Sequence, residues 1–363
     1  MKRTISLLLL CAVCLTLLSA CGSPKTAVKD AGETVIFTDS AGRKVEVPST
    51  ITRVAPSGAV ATMFLASVCP EYMVCIASTP SSSQYKYLDP SLLRLPTTGQ
   101  LYGSKSTINL EALISAGPQV IIDLGDAKDG ISRDMNALQK QTGIPVVFIE
   151  ADLPHMAEAF RMLGKLLYGK TERCEELAAY VEETVSLARE NAAKIPEGER
   201  ASVMYTTGVS GLNTNAAGST QAQVIDLVGA TNAIVVEDIS NKGGGNPINL
   251  EQLYVYDPDS ILFTTGSMYS DAASDPAWSQ VRAIREGRYY EIPALPYNWM
   301  SSPPSLNMLL GIRWLGNLLY PDIYDYDMAA EAQRAYRLLW DYELTDAEAS
   351  ELLAHSTLRE ASP

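Results

Sequence analysis

Between residues 171 and 195 the apolar positions are Cys174, Leu177, Ala178, Val181, Val185, Ala188 and Ala192. Spacings of three and four place them on one stripe of a 3.6-residue period, which predicts an amphipathic helix. Thr171 stands where an N-cap belongs, and Glu172, Glu175 and Glu176 put negative charge in the first turn, where the helix dipole favours it. Pro196 and Gly198 stop the run. At 1.5 Å per residue such a helix is roughly 36 Å long, more than the width of a small domain. With α/β patterns on both sides, it reads as a strut.

Upstream, residues 34–48 read as a hairpin turning at Ala41 and Gly42, followed by strands at 53–56, 74–77, 120–124 and 146–149. Helical patterns at 59–68 and 131–141 alternate with them, and Met156, Phe160, Leu163 and Leu167 mark one face of a further helix. Downstream come strands at 202–205, 234–236 and 288–292, and helices at 221–228, 305–319, 328–341 and 346–353. The two halves echo each other. Ile108-Asn-Leu-Glu-Ala-Leu recurs as Ile248-Asn-Leu-Glu-Gln-Leu, each leading through a proline turn to a buried strand. Leu163-Gly-Lys-Leu-Leu-Tyr168 recurs as Leu315-Gly-Asn-Leu-Leu-Tyr320. The expected fold is α/β: two similar lobes, each a mostly parallel sheet flanked by helices, joined by one long rigid α-helix. The lobes span 34–168 and 197–363, and the linking helix 169–196.

A length of 363 residues suits two domains, and 47% hydrophobic with 19% charged residues is a globular composition. The net charge of −14 argues against nucleic acid as a partner. Lys2 and Arg3 precede an apolar run at 5–18, too short for a comfortable membrane span. The run closes in Leu18-Ser19-Ala20-Cys21, which resembles the lipobox of bacterial lipoproteins. The expectation is a signal peptide at 1–20, lipid on Cys21, and a tether at 21–33 that reaches roughly 19 Å as a coil. That places the protein outside the cytoplasm, anchored to the cell membrane by lipid. Cys11 and Cys14 fall in the signal; Cys69, Cys75 and Cys174 remain. Cys174 lies on the apolar stripe, and a Cys69–Cys75 disulfide is left open.

Gly164-Lys-Leu-Leu-Tyr-Gly169-Lys170-Thr171 fits the P-loop pattern, yet a P-loop needs a strand before its first glycine and residues 156–163 are helical in period. With two histidines, His155 and His355, and no GxSxG elbow, neither a hydrolase triad nor a closed zinc site is favoured. Eighteen tyrosines against five phenylalanines suit the rim of a binding cleft. Ligands in open α/β sheets sit beyond the carboxyl ends of strands. That rule selects Ser57, Asp126, Tyr205, Met268, Tyr297 and Trp299, and Tyr85 and Tyr102 join them from irregular polar stretches. Gly243 to Gly245 form a glycine-rich loop, read here as flexible.

The chain resembles the substrate-binding lipoproteins of ABC importers for ferric siderophores, haem and cobalamin. The markers are Asp39-Ser-Ala-Gly-Arg-Lys-Val-Glu-Val-Pro48, the Asn-Leu-Glu-x-Leu repeats, Val224-Ile-Asp-Leu-Val-Gly-Ala-Thr-Asn232 and Asp275-Pro-Ala-Trp278. Gly287-Arg288-Tyr-Tyr290, Trp299 with Pro303-Pro304-Ser305, and Gly311-Ile-Arg-Trp-Leu315 complete the set. The resemblance implies two lobes on one helix with ligand between them, and a permease with its ATPase as partners. It implies no enzymatic activity and no cofactor. Two features depart from the family. Its acidic residue on an early helix of each lobe is missing at 59–68, and Asp226 is the one acid on the matching later helix. Ser302 stands where many members carry arginine. The rival readings are an exported surface hydrolase and a surface receptor without transport.

Overall fold

The computed structural model describes residues 32–102, 107–241 and 244–358. The signal segment, Cys21, all of the tether before Gly32, and Gly243 lie outside the described residues.

Strands β1 (Thr34–Thr38) and β2 (Lys44–Pro48) form the expected antiparallel hairpin, with Gly42 at φ +74° in its turn. A parallel sheet follows in the order β3 (Val54–Pro56), β4 (Val120–Gly125), β5 (Val146–Glu150). Helices α1 (Ala59–Val68), α2 (Leu110–Ala116), α3 (Ile131–Thr142) and α4 (Met156–Leu166) flank it. Residues 74–77 do not form the expected strand. Only isolated bridges are made here, Ile76 with Thr97 and, just before the segment, Met73 with Val54. The Ile76 amide is received by the carbonyl of Pro96, which has no N–H to return, so no ladder grows.

The strut is α5 (Thr171–Ala192), 22 residues or about 33 Å long. It buries the predicted Cys174, Leu177, Ala178, Val181, Val185 and Ala188, and also Tyr180, Thr184 and Asn191. Its start differs from expectation. Thr171 is the first helical residue and not the cap; its hydroxyl donates to the Gly164 carbonyl at 2.9 Å, tying the strut to the end of α4.

Beyond it, β6 (Ser202–Thr207) runs parallel to β10 (Ser260–Phe263), which runs parallel to β11 (Tyr289–Glu291). The other edge of β6 carries β8 (Thr231–Asn232) and β7 (Asn213–Thr214), and β9 (Asn246–Pro247) pairs with β7. The strand expected at 234–236 is displaced to β8: the Ala233 amide donates to Val203, and the chain then leaves the sheet. Helices α6 (Gln223–Leu227), α7 (Leu250–Tyr256) and α8 (Arg282–Arg285) complete this half. The sequence repeat is a structural one. Asn109 accepts from the Ala112 amide at 3.0 Å and Asn249 from the Gln252 amide at 2.8 Å, so both seven-residue helices, α2 and α7, are capped alike. Each ends on a left-handed residue, Gly117 or Asp257, before its buried strand.

Three helices end the described chain: α9 (Met308–Leu319), α10 (Met328–Trp340) and α11 (Asp346–Leu353). One apolar cluster runs from β3 and α1 through the strut to Tyr205, α9, α10 and α11. A second, around Met204, Phe263 and Trp278, fills the far side of the second sheet.

Candidate functional site

The carboxyl ends of β3, β4 and β5 carry the polar groups of the first lobe. Ser57 follows β3 and is buried; its hydroxyl donates to the buried Asp123 carboxylate on β4. Burial raises the Asp123 pKa and the Ser57 hydrogen bond opposes the rise. Asp126, just beyond β4, is half-buried; burial raises its pKa, with Lys128 opposing and Asp152 adding to the rise. The Tyr102 hydroxyl donates to Asp134 at 3.1 Å, and the Lys128 ammonium sits 3.9 Å above its ring. Ser57, Asp126 and Tyr102 thus belong to one polar shelf. Tyr85 is exposed and opens the short 3-10 turn Tyr85–Tyr87.

The second-lobe candidates divide. Tyr297 is partly buried and lines a pocket of about 70 Å³ with Ala59, Thr62, Ser78, Thr79 and Gln84 of the first lobe. Tyr205 and Trp299, expected in the cleft, are wholly buried. Tyr205 shares a hydrogen bond with the Ser301 hydroxyl at 3.1 Å, and burial pushes its phenol up to about 12. Trp299 is turned inward by the loop around it: Asn298 accepts from the Met300 and Ser301 amides at 3.0 Å each, and Asn307 donates to the Asn298 carbonyl. In this structure neither ring offers a surface to a solute. Met268 packs against the second apolar cluster and does not line the Tyr297 pocket.

Gln84 and Thr62 were not singled out in the sequence. Gln84 donates to the Pro296 carbonyl at 2.7 Å, across the seam between the lobes. Thr62 accepts from the Ala77 amide at 3.2 Å and donates to Gly58 at 2.9 Å. A weak signal was present for Thr62, one of two hydroxyls on a largely apolar helix, but not for Gln84, whose partner lies 212 residues away.

Among the described residues, Glu150, Asp152 and His155 bring two carboxylates and an imidazole within 4.8 Å of one another. Asp152 accepts from the His155 amide at 3.2 Å, which closes the turn into α4, and its carboxylate also bonds the His155 ring Nδ1 at 2.5 Å, a side-chain bond that raises the His155 pKa. Cys69, Cys75 and Cys174 are free and buried, so the open disulfide is not formed. A larger groove, of about 490 Å³, lies at the far end of α1, lined among others by Ser67, Glu71, Lys170, Arg173 and Trp340.

The P-loop pattern is not a phosphate cradle. Gly164 is buried inside α4, and Lys170 pairs with Glu71 and lies 4.9 Å from the Tyr72 ring. Replacing Lys170 with Ala is expected to cost about 1 kcal/mol, because Lys170 is largely covered but its partner Glu71 is more than half exposed. Wild type and variant should show the same null response in an ATP-binding titration; nucleotide binding lost in the variant would overturn the helix-junction reading.

The periplasmic binding protein family model matches residues 57–295. The "Uncharacterized ABC transporter substrate-binding lipoprotein YvrC" of Bacillus subtilis is 22% identical over 229 residues, covering 60% of this chain and 67% of that protein. A solved ABC transporter solute binding protein from Sulfurospirillum deleyianum superposes with a TM-score of 0.80 at 25% identity, covering 88% of this chain and 99% of that one. The molybdate-bound periplasmic protein MolA of Haemophilus influenzae shares the fold at 18% identity, with a TM-score of 0.67 over 86% of this chain and 99% of its own.

Proposed function

Because the chain belongs to the periplasmic binding protein family and is the solute-binding component of an ABC transporter, we propose that its solute is a large metal chelate: a ferric siderophore, haem or a cobalt-centred corrinoid. The solute is held between the two sheets and passed to the permease and its ATPase. The relatives are named as substrate-binding proteins, which supports solute binding over the hydrolase reading. The observation that carries the solute class is Tyr297. It is a partly buried aromatic facing Thr62, Ser78 and Gln84 across the seam, where a flat face and hydrogen-bonding groups meet. Lipid on Cys21, outside the cytoplasm, is part of the same reading. Salt-bridge docking through paired acids is not. Helix α1 has no Asp or Glu, so the exposed Asp226 on α6 has no acidic counterpart on the first lobe's early helix.

Thermal shift with a ferric siderophore, haemin, cyanocobalamin and molybdate tests the solute class. A ligand at 100 times its Kd adds about 2.7 kcal/mol of stability. Tyr297→Ala is expected to weaken chelate binding by roughly 1–3 kcal/mol, in the range of aromatic stacking, with little change in melting temperature. Stabilisation by molybdate and by none of the chelates would overturn the solute class.

A further inference from the structure

The strut is not the one element that crosses between the lobes. The chain from Tyr320 to Ser356 starts and finishes on the second lobe. At its start, Arg313 of α9 pairs with Glu331 of α10 at 3.0 Å. At its finish, the Trp314 indole N–H donates to the Ser356 carbonyl at 2.7 Å, and the Glu291 amide at the end of β11 donates to the His355 carbonyl at 3.0 Å. Between these anchors the helices lean on the first lobe. Tyr87 meets the rings of Tyr336 and Tyr342 edge-on, with centroids 5.5 and 5.0 Å apart. Lys86 pairs with Glu348 at 2.5 Å, and Glu348 also accepts from Tyr342 at 2.8 Å. Arg173, on the strut, donates to the Leu338 carbonyl.

The same contacts fix the rim of the pocket. Tyr336 donates to the Leu295 carbonyl and Gln84 to the Pro296 carbonyl at 2.7 Å, so the two peptide groups before Tyr297 are held from both lobes. The pocket behind them, about 70 Å³, has room for a few water molecules only.

We infer that α10 and α11 form a strap that latches the 84–87 turn of the first lobe to the 295–297 segment of the second, and that a large solute is admitted only when this latch opens. The contacts are suited to that task. They are of two kinds: Tyr87 and Tyr336 are buried rings of the shared apolar cluster, whereas the Gln84–Pro296 hydrogen bond and the Lys86–Glu348 ion pair at the rim are partly exposed and break at modest cost. The strut supplies a fixed separation and the strap a two-state closure. The size of solute rests on the proposed function; the latch itself does not.

Hydrogen–deuterium exchange on the full-length, detergent-solubilised protein without solute tests the latch. In Gln84→Ala combined with Lys86→Glu, amides at 84–98 are expected to exchange roughly fivefold faster, with those of β4 and β10 unchanged. Adding Glu348→Lys should restore most of the Lys86→Glu share of the change. Exchange at 84–98 equal to wild type, or acceleration spread evenly over both sheets, would overturn the strap. The second readout is stopped-flow mixing with haemin. Faster association in the double variant supports gating, and equal rates in both proteins overturn it. If haemin binds neither protein, haem leaves the solute class, and the exchange result still decides the latch.

Discussion

Replacing Trp299 with Ala is expected to lower unfolding free energy by about 3–5 kcal/mol, the cost of truncating a large buried aromatic. The side chain has no exposed surface, and its indole N–H donates to the Leu295 carbonyl at 3.4 Å. The chain around it leaves little room to collapse. A Cβ added at Gly311 of α9 would lie 2.2 Å from the Trp299 carbonyl oxygen, so helix and loop already touch backbone to backbone. The void left by the indole would therefore persist, and the cavity contribution adds to the lost burial. Urea unfolding followed by circular dichroism measures the loss. A variant within about 1 kcal/mol of wild type that binds its solute more weakly would return Trp299 to the cleft.

Arg313→Ala is expected to cost about 2–3 kcal/mol, the range of hydrogen bonds to charged groups, because the acids left behind are partly exposed and Glu183 keeps Arg334. Arg313 is 2% exposed on α9 and joins three elements. It reaches Glu183 and Thr184 of the strut at 2.8 and 3.2 Å and Glu331 of α10 at 3.0 Å, with Tyr180 and Tyr326 stacked 5.4 and 5.5 Å away. The loss has a pH signature. Hydrogen bonds from Arg334, and then from Arg313, hold the Glu183 carboxyl at about 2, below its ordinary 4.5. A depressed carboxylate contributes stability that is present above the unfolded value and lost as pH falls through the folded one. Wild type should therefore weaken between pH 4.5 and 2, by a modest amount because Glu183 is partly exposed, and Arg313→Ala should weaken less steeply there. Urea midpoints at pH 7 and pH 3 check both points. An acid slope in the variant as steep as in wild type would remove Arg313 from the Glu183 pair.

The readings that held came from local pattern. Six of the seven predicted apolar positions of the strut are among its buried residues, because a 3.6-residue period is a property of the chain before it folds. The seventh, Ala192, sits at the helix end and is partly buried. The Asn-Leu-Glu repeats form matching capped helices because a cap needs only the residue itself and an amide three positions on. The strands at 74–77 and 234–236 were misplaced for the opposite reason. A strand exists only when a partner supplies a ladder, and Pro96 in one case and the departure from β6 in the other remove it.

For the candidate site, strand ends alone selected Ser57 and Asp126, which stand beside the carboxyl edge of the first sheet. The same rule cannot say which way an aromatic turns. Tyr297 and Trp299 are two residues apart on one loop, and one lines the pocket while the other is core. Their difference is set by Gln84, Tyr336, Asn307 and Gly311, contributed by the first lobe and by two later helices. By itself the sequence determined the periodic elements, the repeat that makes two similar lobes, and the family, each written in residues near one another in the chain. Only the tertiary structure decided which aromatic lines the pocket and that the C-terminal helices cross the seam, because those outcomes depend on contacts between segments as much as 200 residues apart.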